Sequence, residues 1–156
     1  MSPAKTYSYR YPRPMVTVDA VVFRQTRQRL EVLVVERGKP PYAGMLALPG
    51  GFVEMDEDLE DAAKRELQEE TGLENVTLSQ LRAFGTPGRD PRGRNISIVF
   101  AGVARGRTDQ VEGGDDAARA VWVSARRPGR LAFDHNDILK CALTWLKADA
   151  LSRGKT

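Results

Sequence analysis

Three glutamates, Glu66, Glu69 and Glu70, stand at i, i+3 and i+4 in a segment that closes with Thr71-Gly72. On a helix this spacing puts three carboxylates within one turn of each other. Hard oxygen donors so arranged suit Mg²⁺ or Mn²⁺. Between Glu54 and Glu74 ten residues are Asp or Glu and only Lys64 and Arg65 are basic, a local balance of −8. The whole chain carries +3, which leaves about +11 for the remainder. Acid concentrated in one short segment marks a site for cations, and a basic remainder meets an anion. A metal-dependent reaction on a phosphate compound satisfies both.

The apolar positions of this segment are Leu59, Ala62, Ala63 and Leu67, and their mean direction falls close to that of Glu66 and Glu70. Two carboxylates therefore sit on the inward side of an amphipathic helix. Burying them together without compensation is prohibitive, and a divalent cation removes the difficulty. The competing reading is a solvated acidic helix paired with Lys64 and Arg65. Gly50-Gly51, just upstream, favours the first, because glycine lets the backbone approach a ligand and aim a carbonyl at a metal.

The elements that must position these groups follow from composition. Residues 15–23 (MVTVDAVVF) and 30–36 (LEVLVVE) read as strands joined by a polar hairpin loop. Residues 38–42 read as a turn, 45–48 as a short apolar stretch ended by Pro49-Gly50-Gly51. A helix is expected over 58–71, with Asp56 or Asp58 as N-cap and Gly72 as C-cap. Strands are expected over 76–84, 96–104 and 120–123, and a second helix over 134–147. The order β-β-β-α-β-β-β-α implies an α/β protein with a mixed sheet packed between helices, in one domain at 156 residues.

Gly51, Glu57 and Arg65-Glu66-Leu67-Gln68-Glu69-Glu70-Thr71-Gly72-Leu73 fill every fixed position of a 23-residue pattern that resembles the Nudix box. The resemblance implies an α/β/α sandwich and hydrolysis of nucleoside diphosphates linked to another moiety, with Mg²⁺ or Mn²⁺ as cofactor. It implies that Glu66, Glu69 and Glu70 bind metal together with the carbonyl of Gly50. It also implies that Arg65 and Glu57 orient those glutamates, with Glu69 shared between binding and catalysis.

Pro87 lies 15 residues after Gly72, at the head of the loop Gly88-Arg89-Asp90-Pro91-Arg92-Gly93-Arg94. The proline and the arginine run resemble the ADP-ribose pyrophosphatase branch of that family. The implied substrate is ADP-ribose, cut to AMP and ribose 5-phosphate. Arg89, Arg92 and Arg94 can fork onto phosphate or ribose oxygens. The alternative is a solvent-exposed hairpin tip with incidental arginines.

A carboxylate to deprotonate water is expected from the loop 105–118, which offers Asp109, Glu112, Asp115 and Asp116. Glu112, beside Gly113-Gly114, is the choice, with a box glutamate as the alternative. His135, the single histidine, is expected to cap or pack the last helix rather than move protons. Cys141 and Trp145 are read as core-facing. Tyr7, Tyr9 and Tyr11 share one side of an extended segment. They cover an edge or a dimer partner, or else stack on adenine. A homodimer is implied by the resemblance.

A pI near 9.2 raises nucleic acid as a partner, but the bases are scattered and no recognition motif is visible, so a small nucleotide is preferred. One cysteine excludes an intrachain disulfide and points to a reducing compartment. The N-terminal residues lack the apolar core of a signal peptide, and no run approaches about 18 apolar residues, so a cytoplasmic protein without a membrane span is expected. Two rivals remain. One is a nucleoside triphosphate pyrophosphohydrolase. The other is a regulator that senses ADP-ribose without cutting it; some Nudix-like proteins act as repressors with an appended winged helix, which is not expected here because the residues after Lys147 leave no room for it.

Overall fold

The computed structural model describes residues 5–108 and 110–154. Seven strands and two helices are present among them: β1 (Met15–Gln25), β2 (Leu30–Arg37), β3 (Leu46–Ala47), β4 (Gly50–Phe52), α1 (Leu59–Thr71), β5 (Ser79–Phe84), β6 (Asn95–Val103), β7 (Ala117–Ser124) and α2 (His135–Arg153). The sheet is mixed: β1 pairs in parallel with β6, and the other pairings are antiparallel.

The period-two pattern of the central strands explains the layers. Val18, Ala20, Val22, Leu33 and Val35 pack with Ala62, Ala63 and Leu67 of α1. The alternate residues Val21, Phe23, Val32 and Val34 pack with Ile138, Leu139 and Ala142 of α2. Both faces are covered, so β1 and β2 read as nearly continuous apolar runs. Trp145 packs against this second layer, whereas Cys141 is only half-buried.

Strand β1 changes partner along its length. Near its end Phe23–Gln25 pair with β2, but Thr17–Asp19 pair with β4. The two strands therefore splay, and β2 continues beside β3 and β7 instead. The residues from β3 to β4 fill the opening, fixed to β1 by Ala20 N–H to Pro49 O (2.8 Å) and Val53 N–H to Val16 O (3.1 Å).

Helix α1 is framed as its sequence requires. Of the two candidate N-caps the structure uses Asp58, whose side chain accepts from the Glu60 N–H. Gly72 closes the helix at φ 72°, in the left-handed region that glycine enters without penalty, and its N–H reaches Gln68 O. Several boundaries differ from expectation, and β7 for one spans Ala117–Ser124 against an expected 120–123. Gly50-Gly51, expected only to end the stretch 45–48, begins a strand running to Phe52, because pairing with β1 outweighs its weak local propensity. The strand expected from Val76 starts at Ser79; Val76 and Leu78 are buried ahead of it as irregular backbone. Helix α2 runs to Arg153, six residues beyond Lys147.

Candidate active site

Where β1 and β2 part, a cleft of ≈ 390 Å³ opens. Glu66 and Glu70 of α1 form one side of it with Gly50 and Gly51 of β4. The glycines are required by proximity. A Cβ on Gly51 would stand 2.5 Å from the Glu66 carboxyl carbon, and a Cβ on Gly50 would strike the Val18 carbonyl and the Asp19 backbone. A side chain at Gly51 would displace the Glu66 carboxylate, and one at Gly50 would push β4 away from β1.

Arg65 organises the acidic side. Its guanidinium donates to both Glu57 oxygens (2.9 and 2.6 Å), to Glu66 Oε1 (2.8 Å), to Glu69 Oε2 (3.2 Å) and to Phe52 O (3.1 Å). The bond from Arg65 holds Glu57 below the usual carboxylate range. Glu66 is buried, and desolvation pushes its carboxyl up against the pull of Arg65. Glu70 accepts the Gly50 N–H at Oε2 (3.0 Å) and forms no ion pair among the described residues. Burial, reinforced by Glu66 and Asp19, pushes it up to about 8.

Asp19 supplies a third carboxylate from the middle of β1. It is buried, accepts from Ser97 Oγ, and stands 3.5 Å from His135 Nε2. His135 Nδ1 accepts the Leu48 N–H (2.9 Å), so its proton belongs on Nε2, facing Asp19. Burial pushes His135 down, toward the neutral form. The histidine is thus packed, as expected, but it ties α2 to the residues after β3 instead of capping its own helix.

The donor set fits a hard divalent cation. Glu66 and Glu70 are oxygen donors under a desolvation load that one guanidinium does not relieve, and Asp19 adds a further charge nearby. Among the described residues no three carboxylates are closed into a ready cage, because Glu66 and Glu69 turn to Arg65 and Glu70 to the Gly50 N–H.

The opposite side is cationic and aromatic. Arg92 forks onto Asp90 (2.8 Å at the closest) and lies over the rings of Phe52 and Phe133. Arg37, at the end of β2, lies over Phe133 and donates Nε–H to Pro41 O (2.7 Å).

The expected site residues divide into three groups. Gly50, Arg65, Glu66, Glu70, Arg89 and Arg92 line the cleft. Glu57 and Glu69 stand just behind, on Arg65. The third group, Pro87, Arg94 and Glu112, lies apart. Pro87 is exposed, and Arg94 donates to Gly85 O (2.5 Å) away from the cleft. Arg89, although a lining residue, has a nearly buried guanidinium that forks onto Asp134 (2.9 and 2.6 Å), an anchor between its loop and α2. Glu112 is exposed and off the cleft, held there by its N–H to Thr71 O (3.1 Å), while Asp115 and Asp116 do line it. Asp109 lies outside the described residues.

Sequence reasoning missed Asp19, Arg37 and Phe133. Asp19 carried a signal, since a carboxylate inside the apolar run MVTVDAVVF is costly without a role. Arg37 and Phe133 carried none, being ordinary residues at the edges of elements.

The Nudix domain pattern matches residues 13–146. The chain belongs to the Nudix family. An ADP-ribose pyrophosphatase of Methanocaldococcus jannaschii is 40% identical over 135 residues, covering 86% of this chain and 76% of that protein. The ADPR responsive transcriptional repressor NtrR of Acinetobacter baylyi is 33% identical over 140 residues, covering 87% of this chain and 56% of that protein. The Nudix domain of Shewanella oneidensis NrtR, solved with ADP ribose, superposes with a TM-score of 0.80 at 30% identity, over 87% of this chain and 90% of that one. The Nudix assignment confirms the α/β architecture with its mixed sheet between two helices. No helix among the described residues is long and apolar enough to cross a membrane.

Proposed function

We propose that this Nudix protein hydrolyses the pyrophosphate of ADP-ribose, giving AMP and ribose 5-phosphate. The observation that carries the reading is a single cleft with buried carboxylates on one side and Arg37 and Arg92 on the other. That polarity suits a diphosphate held between a cation and guanidiniums. Water attacks one phosphorus, its bond to the bridging oxygen breaks, and the second phosphate leaves. Mg²⁺ or Mn²⁺, bound by Glu66, Glu69, Glu70 and the Gly50 carbonyl, would neutralise the diphosphate and acidify the attacking water. Arg65, steadied by Glu57, keeps Glu66 and Glu69 in one orientation. Glu112 is the proposed proton acceptor, brought in by its glycine-flanked loop; Asp115→Asn and Asp116→Asn serve as comparisons, and a loss confined to either would move the role there.

Arg92 is proposed to contact substrate directly. Arg89, Arg94 and Pro87 shape the loop that carries it. The chain is further proposed to be one domain, cytoplasmic, and homodimeric, with no nucleic-acid partner. Phosphate release from ADP-ribose with Mg²⁺ and added phosphatase tests the activity. Pyrophosphate release from a nucleoside triphosphate, with ADP-ribose inert, would transfer the protein to the triphosphate class. The 33% identity to NtrR supports a second reading, a sensor that binds ADP-ribose intact. Tight binding with no product in Mg²⁺ or Mn²⁺ would establish it.

A further inference from the structure

Arg37 is a half-buried cation in the cleft that makes no ion pair among the described residues. Its guanidinium lies 4.9 Å from the centre of the Phe133 ring, and that of Arg92 lies 5.5 Å from the same centre. Arg92 has a carboxylate of its own in Asp90; Arg37 hydrogen-bonds only the Pro41 carbonyl through its side chain, with Glu70, Asp90 and Asp116 acting on it at longer range. Burial and the nearby Arg92 disfavour its charge more than Glu70, Asp90 and Asp116 favour it. Two cations are thus gathered at one aromatic ring, and only Arg92 is closed into an ion pair there.

The ring is held at a cost. Phe133 has φ 53° and Tyr42 has φ 61°, both in the left-handed region that bulky residues avoid. The two meet edge to face, with centroids 4.8 Å apart. Strain of this kind persists where the side chain has a task.

We propose that Phe133 is the positioning residue of an anion clamp, holding Arg37 and Arg92 in place for non-bridging oxygens of the substrate's diphosphate. The claim rests on the diphosphate reading above and adds to it the role of Phe133. An aromatic face attracts a guanidinium without neutralising it, so the fork stays available for phosphate. Free rotation of Arg37 is restricted before the anion arrives, which lowers the ordering cost on binding.

Calorimetry with inorganic pyrophosphate in Mg²⁺ buffer tests the clamp without turnover. Phe133→Leu and Arg37→Gln should each weaken binding by about tenfold, and the double variant should be little worse than either single one. Phe133→Tyr, which keeps the ring, should restore binding. With ADP-ribose, Phe133→Leu should raise KM about tenfold and leave kcat within about threefold, a split that general loosening of the fold does not produce. Unchanged pyrophosphate binding in Phe133→Leu, or effects that simply multiply in the double variant, would overturn the proposal. Should Phe133→Leu not fold, Phe133→Asn replaces it, since asparagine tolerates the left-handed backbone. Arg37→Gln must still weaken binding, and if it does not the clamp is wrong. Pyrophosphate binding with this pattern but no ADP-ribose turnover would leave the clamp standing and dismiss the substrate.

Discussion

Placing a methyl group on each of the paired glycines in turn separates chemistry from folding. In Gly51→Ala the new Cβ would lie 2.5 Å from the Glu66 carboxyl carbon and 2.7 Å from Oε2. Carbon atoms rest at about 3.5–4.0 Å, so the carboxylate must retreat by about 1 Å. It can do so only by straining its bond to Arg65. A shift of that size in a positioned group costs about 100-fold in rate. Stability should fall modestly, by about 1–2 kcal/mol, because the obstacle is a side-chain end. In Gly50→Ala the obstacle is the backbone of Val18 and Asp19, which cannot move without opening the pairing of β1 with β4. That variant should lose more stability, about 3 kcal/mol or beyond. Urea unfolding of both variants, with turnover measured well below the transition, gives the comparison. Gly51→Ala with parental turnover would refute the reasoning, as would a Gly50→Ala variant more stable than Gly51→Ala.

Glu70→Gln should lower turnover at least about 100-fold, and in metal-free buffer at pH 7 it should melt above the parent, because the amide escapes the desolvation that raises Glu70 to about 8. Arg65→Lys keeps the charge but not the fork that reaches Glu57, Glu66, Glu69 and Phe52, so steady-state kinetics should show a loss of about 10–100-fold. Asp90, buried and bonded to Arg92 and Asn95, is lowered to about 2. A depressed carboxyl stabilises the fold above its unfolded pKa near 3.8 and loses that contribution as pH falls toward 2. Asp90→Asn should therefore cost about 2 kcal/mol at pH 7, with the gap to the parent closing between pH 4 and 2 in acid unfolding curves; a gap constant over that range would contradict the assignment.

The acidic helix was readable because its information is local. Three glutamates within one turn, an Asp before them and a Gly after them are relations across a few residues. The layers were readable for the same reason, through alternation in β1 and β2. What escaped depends on pairing at long range. Arg89 looks like a substrate ligand until Asp134, 45 residues away, claims its guanidinium. Glu112 has its N–H on Thr71 O, a bond its loop must release before the carboxylate reaches the cleft. Strand β4 is only three residues long and exists because β1 offers an edge where β2 turns away. Phe133 carries no local mark at all; its significance lies in which arginines come to rest on it.

The change of partner along β1 has a further effect. The acidic side is carried by α1 and β4, which are registered to the first half of β1, whereas Arg37 rides on β2, which is registered to the second half. No hydrogen-bonded ladder joins β4 to β2 directly. The reactive half and the recognising half of the molecule can therefore drift separately over evolutionary time. Descendants of this scaffold could exchange the compound they accept by rewriting the end of one strand and the start of one helix, leaving the bond-breaking apparatus as it was.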